Sequence, residues 1–477
     1  MAPSQGTVKA ISKRNKKNVA GGIRMPLRDR ARWALAAMLS MALLSAPAVW
    51  NRFPLLQYDT GGYLARWYEP YLVPSRAVVY GLILNAGAPL SFWPVVLGQS
   101  ALTVWVIALI LRTHGLRGRP GLLAGIIAAL SSVSTLPWLT AILLTDIFAG
   151  LAVLALYLLL LRAEALSRGE RVSLAALIAV SAATHNATFA VLLALLAAGL
   201  LLAVIDRARL PLKRLGQGAA ALALGAMLVF AANAIVTKRL AWTPGGFALS
   251  FGRMLQDGIV TKYLDEHCLR ARFVLCAYKD ELPHDADQWF WGSPIFDRLG
   301  RFNGLGQEME QIALASLAEY PLLQAKTAVI ATARQLIDVH TGEGVVNSIW
   351  HTYGIIERYK PRLVPSMRAA RQQYGEISFT AINHLHYPVA LACLTLLPLI
   401  ARHTLRRRSL ADIGELGTAC LLAVLANAFV CGVLSNPHDR YGARLIWLAV
   451  AAAVLAAVRL YEQRRCLPAG DIVPAAQ

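Results

Sequence analysis

The feature that most constrains this chain is a series of apolar runs, each about long enough to cross the hydrocarbon core of a bilayer and almost free of charge. They lie near residues 33–50, 90–111, 121–136, 144–161, 172–184, 187–205, 218–236, 387–401, 413–434 and 444–458. Leu, Ala, Val and Ile fill them without a two-residue alternation, so they read as helices and not as barrel strands. The composition agrees: 57% of the 477 residues are hydrophobic, 16% are charged and the mean hydropathy is +0.50. A soluble domain needs more charge on its surface. The expected fold is an all-α polytopic membrane protein of about ten transmembrane helices.

The net charge of +20 raises the question of nucleic acid. Its distribution answers otherwise. The tail through Arg32 and the loops 112–119, 162–171, 206–214, 402–408 and 459–465 hold more than half of the 47 Lys and Arg. With a cytoplasmic N-terminus, all of these fall on the cytoplasmic side, which is the positive-inside pattern of a membrane protein. No nucleic-acid partner is expected. The N-terminal basic stretch followed by an apolar run reads as an uncleaved signal anchor, with Met1 and Met25 as alternative starts.

This topology divides the chain into a basic tail (1–30), an N-terminal transmembrane module (31–236), an external segment (237–386), C-terminal transmembrane helices (387–460) and a cytoplasmic tail (461–477). The stretch 76–88 is too short to span and is expected to lie along the interface. The external segment has nearly balanced charge and clear helical periodicity around 306–339, interrupted at Pro321. It is expected to be a mainly helical insert. Cys268 and Cys276 fall within it, where an oxidising compartment would allow a disulfide. Cys393, Cys420 and Cys431 lie in apolar runs as small core residues. No Walker loop, dinucleotide fingerprint, zinc-spaced cluster or internal repeat is present, which disfavours an ATP-driven transporter.

Ionisable groups near hydrocarbon are costly, so their placement is informative. The topology puts Asp59, Asp146, His185, His438, Asp439, Arg440 and Arg444 at external helix ends, with Arg52, Arg66 and Arg76 flanking Asp59. Each has a plain structural reading. The "YDTGGY" stretch makes a good Asx-turn, Thr145 and Asp146 suit a helix N-terminus, and "HDRY" suits an interfacial anchor. Their joint occurrence on one face favours a site. A shielded carboxylate can accept a proton from an attacking hydroxyl, arginines can hold a phosphate leaving group, and Tyr58, Tyr63, Trp67 and Tyr68 can stack on sugar rings. That set suits transfer from a lipid-phosphate donor.

Here the chain resembles the GT-C superfamily of integral-membrane glycosyltransferases, which use polyprenyl-phosphate-linked sugars. The likeness rests on Asp59 in "LLQYDTGGY" directly after the first span, Arg76 in the juxtamembrane "PSRAVVYGLIL", Asp146 in "LLTDIFAGLAVLAL", and Arg440 with Tyr441 in "HDRYGARLIWL". "IALASLAEYPLLQAKTAVIATARQ" is similar to a helix-before-span phrase of the family. The resemblance implies an inverting transferase of the cell inner membrane, with a polyprenyl-phosphate-sugar donor and a glycan or glycolipid acceptor. It implies a catalytic first external loop (51–89), with Asp59 as base and Asp146 beside it. Arg76, Arg440 and Arg444 would bind the donor phosphate, and Tyr58, Tyr63, His185, His438 and Tyr441 the substrates. Asp59 is followed by Thr60 and not by a second acid, so the paired-acid form is absent. A divalent metal would have only Asp59, Asp146 and His185, three remote residues, to hold it. The competing classes are a transporter or flippase of lipid-linked sugars, a glycan polymerase or ligase, and a non-catalytic envelope assembly protein.

Overall fold

Apolar runs become helices here because a buried or lipid-facing backbone must satisfy its own hydrogen bonds. The structure is a computed structural model and describes residues 26–207, 209–242 and 246–466. The tail through Arg24, the alternative start at Met25 and the C-terminal end after Cys466 lie outside the described residues. In chain order the helices of the first half are α1 (Leu27–Asn51), α2 (Thr60–Ala65), α3 (Val78–Gly87), α4 (Trp93–Thr113), α5 (Pro120–Val133), α6 (Leu136–Ala141), α7 (Asp146–Leu161), α8 (Arg168–Thr184), α9 (Asn186–Ile205) and α10 (Leu212–Thr237). The second half contains α11 (Gly246–Gln256), α12 (Ile259–His267), α13 (Arg301–Glu319), α14 (Pro321–Ile337), α15 (Trp350–Tyr359), α16 (Thr380–Leu405), α17 (Ala411–Leu434) and α18 (Asp439–Cys466), with short helical turns between them. Among the described residues there is no sheet, only isolated bridges such as Leu55 with Ile142.

Among the described residues seven helices are long and apolar enough to cross a membrane: α1, α4, α9, α10, α16, α17 and α18. The protein is therefore an all-α, multi-pass membrane protein. The other three runs expected to span are helical but shorter, at 14 residues for α5, 16 for α7 and 17 for α8. Local chemistry sets these lengths. α5 stops because Ser134 turns its hydroxyl back onto the Leu130 carbonyl at 2.6 Å, and Pro137 then opens the separate α6. α8 begins in a polar capping box of Ser167 and Glu170, so its first turn carries Arg168, Glu170 and Arg171.

α7 lies at the centre of the bundle. Every residue from Asp146 to Leu160 is buried, as expected of a helix that is apolar on all sides. α18 packs directly on it, with the Trp447 indole against Gly150, where a Cβ would come within 2.6 Å of the ring. That close approach sets the neighbouring turns, which carry Asp146 and Arg440, side by side.

The basic loops gather at one end of the bundle. There Arg112 pairs with Glu170, Arg162 and Arg209 share Glu415, Arg214 meets Glu164, Arg119 meets Glu462 and Arg459 meets Asp412. The first loop, Asp146, His185 and the start of α18 lie at the opposite end. Residues 248–313 form a second hydrophobic core of their own, around Phe251, Trp289, Phe296 and Met309. The Cys268–Cys276 disulfide borders it. α13 and α14 meet at Pro321, where the expected helical interruption falls.

Candidate functional site

The site is built on the loop after α1. Leu55 bridges to the strand-like turn before α7, donating to Ala141 and accepting from Leu143. Gln372 clamps the same loop, accepting from the Leu56 amide at 3.0 Å and donating to its carbonyl at 2.7 Å. The Thr352 hydroxyl of α15 accepts from the Gly61 amide and lies 3.0 Å from the carbonyls of both Gln57 and Tyr58. Gly61 is required by that approach, since a Cβ would lie 2.6 Å from the Thr352 Cα. Asp59 thus sits on a loop braced from three directions.

Asp59 occupies the N-cap position of α2, yet its carboxylate caps no backbone amide. Its Oδ1 accepts from Arg76 and its Oδ2 from Arg440 Nη1 at 2.5 Å. The same Arg440 donates from Nε to Asp146 Oδ2 at 2.8 Å, so one guanidinium ties the first loop to the start of α7. Asp146 Oδ1 is buried without a hydrogen-bond partner among the described residues, an acceptor that a ligand hydroxyl could use. Burial pushes the Asp59 carboxyl upward, but Arg76 and Arg440 outweigh it and hold it at about 2, below the ordinary 3.8.

A second tier lies beside this one. Arg444 is fully buried and donates to Asn427 Oδ1 from Nε and Nη2 at 2.9 and 2.6 Å. It also contacts His185 Nδ1 at 3.2 Å, at the junction of α8 and α9. Burial, then the charges of Arg444, Arg440 and Arg76, push the His185 imidazole well below its usual value, so it is neutral. Tyr63 is buried, with the Arg76 guanidinium 5.6 Å from its ring, and the Tyr441 ring lies 5.8 and 6.0 Å from those of Arg440 and Arg444. Next to Arg76 lies a small cleft, its room for a ligand no more than about one water, walled by Val73, Val78, Ala183, Asn186, Asn233 and Trp242.

Of the residues picked out in the sequence, Asp59, Arg76, Asp146 and Arg440 come together directly, and His185, Arg444, Tyr63 and Tyr441 surround them. His438 and Tyr58 stand apart. Tyr58 is exposed, its ring against Gly344. His438 points to Glu343 through Nδ1 at 2.8 Å and to Asp287 through Nε2 at 3.3 Å. Burial opposes its charge, but those two carboxylates hold the imidazole protonated, up to about 10. Glu343 also accepts from the Arg440 backbone amide at 2.6 Å. Asp439 is taken by His340, which stacks on Tyr387 at 4.0 Å.

The sequence does not single out Glu343, Asp287, Asn427, Thr352 or Gln335, which accepts from the His438 amide at 3.0 Å and donates to its carbonyl at 2.8 Å. Only Asn427, a lone amide inside an apolar run, carried a visible signal. The others lie in a segment where polar side chains are ordinary.

The residues present do not fit a cation between Asp59, Asp146 and His185. Arg440 already occupies the space between the two carboxylates, and His185 faces Arg444. A different trio, Glu266, His267 and Glu319, brings one donor atom each within 4.8 Å and could chelate a divalent metal. It is a weak, largely exposed set whose Glu266 already binds Lys262 and Tyr320. No protein-family model, no curated protein and no solved structure matches this chain.

Proposed function

We propose that this protein is an inverting glycosyltransferase of GT-C type that moves a sugar from a polyprenyl-phosphate donor to a glycan or glycolipid acceptor of the cell envelope. One observation carries the reading. Three shielded guanidiniums, Arg76, Arg440 and Arg444, gather at one site, where Asp59 and Asp146 pair with the first two and Arg444 meets no carboxylate. A shielded guanidinium without a carboxylate favours an anionic ligand, and arginine's planar fork suits the oxygens of phosphate.

In this reading the arginines exchange partners. The donor phosphate takes the N–H groups of Arg76 and Arg440 that Asp59 holds in the free protein. Asp59, relieved of them, becomes a stronger base and accepts the proton of the acceptor hydroxyl as that oxygen attacks the anomeric carbon. The bond from that carbon to the phosphate oxygen breaks, the configuration inverts, and polyprenyl phosphate departs with its charge on the two arginines. Asp146 would hold Arg440 through one oxygen and a sugar hydroxyl through the other.

The topology that accompanies this reading has ten helices crossing the inner membrane, α5, α7 and α8 among them. The basic end lies in the cytoplasm by the positive-inside rule, and the site lies outside, on the side where a Cys268–Cys276 disulfide persists. The test is mass spectrometry of lipid extracts from a strain lacking the gene, complemented with the natural gene or with Asp59→Asn. Loss of one discrete glycan mass, restored by the natural gene and not by well-expressed Asp59→Asn, is expected. An unchanged profile, or full rescue by Asp59→Asn, overturns the proposal in favour of transport or assembly.

A further inference from the structure

Among the described residues Arg444 meets no carboxylate; its polar partners are Asn427, His185 and Cys431. A fully buried guanidinium held only by neutral groups is costly, and its neighbours fix the direction of each hydrogen bond around it. Asn427 donates from Nδ2 to the Tyr441 carbonyl at 2.7 Å, which fixes its amide and turns Oδ1 toward Arg444. That oxygen accepts two guanidinium N–H groups. Arginine has donors and no acceptor. Its contact from Nη1 to His185 Nδ1 therefore requires Nδ1 to be bare. A neutral imidazole with a bare Nδ1 carries its hydrogen on Nε2.

We infer that Asn427 and Arg444 lock His185 as the Nε2–H tautomer, making it a fixed hydrogen-bond donor to an anionic oxygen bound beside Arg76 and Arg440. His185 is then not a proton acceptor: its only lone pair is occupied, and burial with Arg444, Arg440 and Arg76 opposes a further proton more than Asp59 favours one. Nε2 makes no hydrogen bond within the described residues. His185 stands between Thr184, next to the cleft residue Ala183, and Asn186, itself in the cleft wall shared with Arg76. The bound group is of the phosphate class, and that half of the inference rests on the lipid-phosphate reading above. The tautomer rests on geometry alone.

The experiment has two arms on the full-length protein in detergent micelles. In the first, 15N spectra of histidine-labelled protein are recorded from pH 6 to 8, with the His185 signals assigned by their loss in His185→Gln. The Nε2–H pattern, unchanged across the range, is expected. The Nδ1–H pattern, or a ring that protonates near 6.5, overturns the lock. Arg444→Met should release it and populate the second tautomer.

In the second arm, farnesyl phosphate is titrated and followed by tryptophan fluorescence. His185→Gln, whose amide restores an N–H, should bind within about threefold of the natural protein. His185→Phe should bind about tenfold or more weakly, the size of a lost hydrogen bond to a charged group. Equal binding by His185→Phe overturns the donor role while leaving the lipid-phosphate reading intact. If the natural protein binds no farnesyl phosphate although His185 is Nε2–H, that reading falls and the assignment of a phosphate ligand falls with it. Should His185→Phe fail to fold, His185→Met supplies the comparison, and undiminished binding by that variant overturns the donor role.

Discussion

Replacing Arg440 by methionine removes the group that joins Asp59 to Asp146, and its cost can be worked from the geometry. In the natural protein the Asp59 carboxyl is held at about 2 against an ordinary 3.8, with Arg76 and Arg440 overcoming burial. At ~1.4 kcal/mol per unit, that displacement is about 2.5 kcal/mol. A carboxyl lowered in the folded state contributes this stability above pH 3.8 and loses it as pH falls toward 2. Between pH 5 and 8 the natural protein should therefore show no slope from this source. In Arg440→Met, Asp59 keeps only Arg76, while Asp146 keeps no partner at all. Breaking a buried pair from one side costs about 3–5 kcal/mol. Burial, the largest influence on Asp59, is then opposed chiefly by Arg76, and the expected outcome is a carboxyl above its unfolded value, with the native state holding the extra proton. Stability then declines as pH climbs through that raised value, and the deficit is larger at pH 8 than at pH 5. Denaturant titration in mixed micelles, followed by tryptophan fluorescence at both pH values, measures it. In an Asp59→Asn background the same substitution should cost at least about 1 kcal/mol less. Equal cost at both pH values, together with additivity of the two substitutions within about 0.5 kcal/mol, would refute the account of a coupled, shielded pair.

Three further expectations follow from other parts of the molecule. His438 is held charged up to about 10 by Asp287 and Glu343, so its contribution is complete below 6.5 and lost as pH rises from 6.5 to 10; the natural protein should lose stability over that window, and His438→Gln should flatten the slope. Thr352→Val deprives the Gly61 amide of its acceptor and should cost about 1–3 kcal/mol, with faster hydrogen exchange at Gly61; unchanged exchange would show that α15 does not brace the first loop. Reducing Cys268–Cys276 opens a short loop that holds Arg270 and Arg272, at a cost of about 2–3 kcal/mol in the chain-entropy estimate. Trypsin should then cut there severalfold faster, and an unaltered cleavage rate would show that the bridge does not constrain this loop.

Much of this arrangement was legible in the sequence, for physical reasons. Apolar runs report helices directly, and a charge beside hydrocarbon is rare enough to stand out. Asp59, Arg76, Asp146 and Arg440 were visible as a set because each sits at the end of such a run on the same face. Helix length was less legible. The run at 121–136 continues in hydropathy past Val133, but Ser134 and Pro137 divide it into α5 and α6. The supporting residues were hidden for the opposite reason. Glu343, Asp287 and Thr352 belong to a segment of balanced, soluble-like composition, where a carboxylate or hydroxyl is commonplace and only the fold gives it a partner. His438 stands out in the sequence, but its two carboxylates, about 95 and 150 residues upstream, cannot be inferred from it.

The start of α7 at Asp146, of α9 at Asn186 and of α18 at Asp439 all meet at the same place, as the contacts of Arg440 with Asp146 and Arg444 with His185 require. All three helices run from there toward the basic end. Each backbone places about half a positive charge at its first turn, offset in part by the last turn of α8 beside His185, and no side-chain substitution removes it. At the far end α18 carries Arg464 and Arg465 in its last turn, against the negative end of its dipole. The effect is local to those first turns, because α1, α8 and α17 run the opposite way and finish at this end with their negative termini. An anion approaching the first loop is drawn by the backbone itself, and a variant lacking any one of the three arginines keeps part of that attraction.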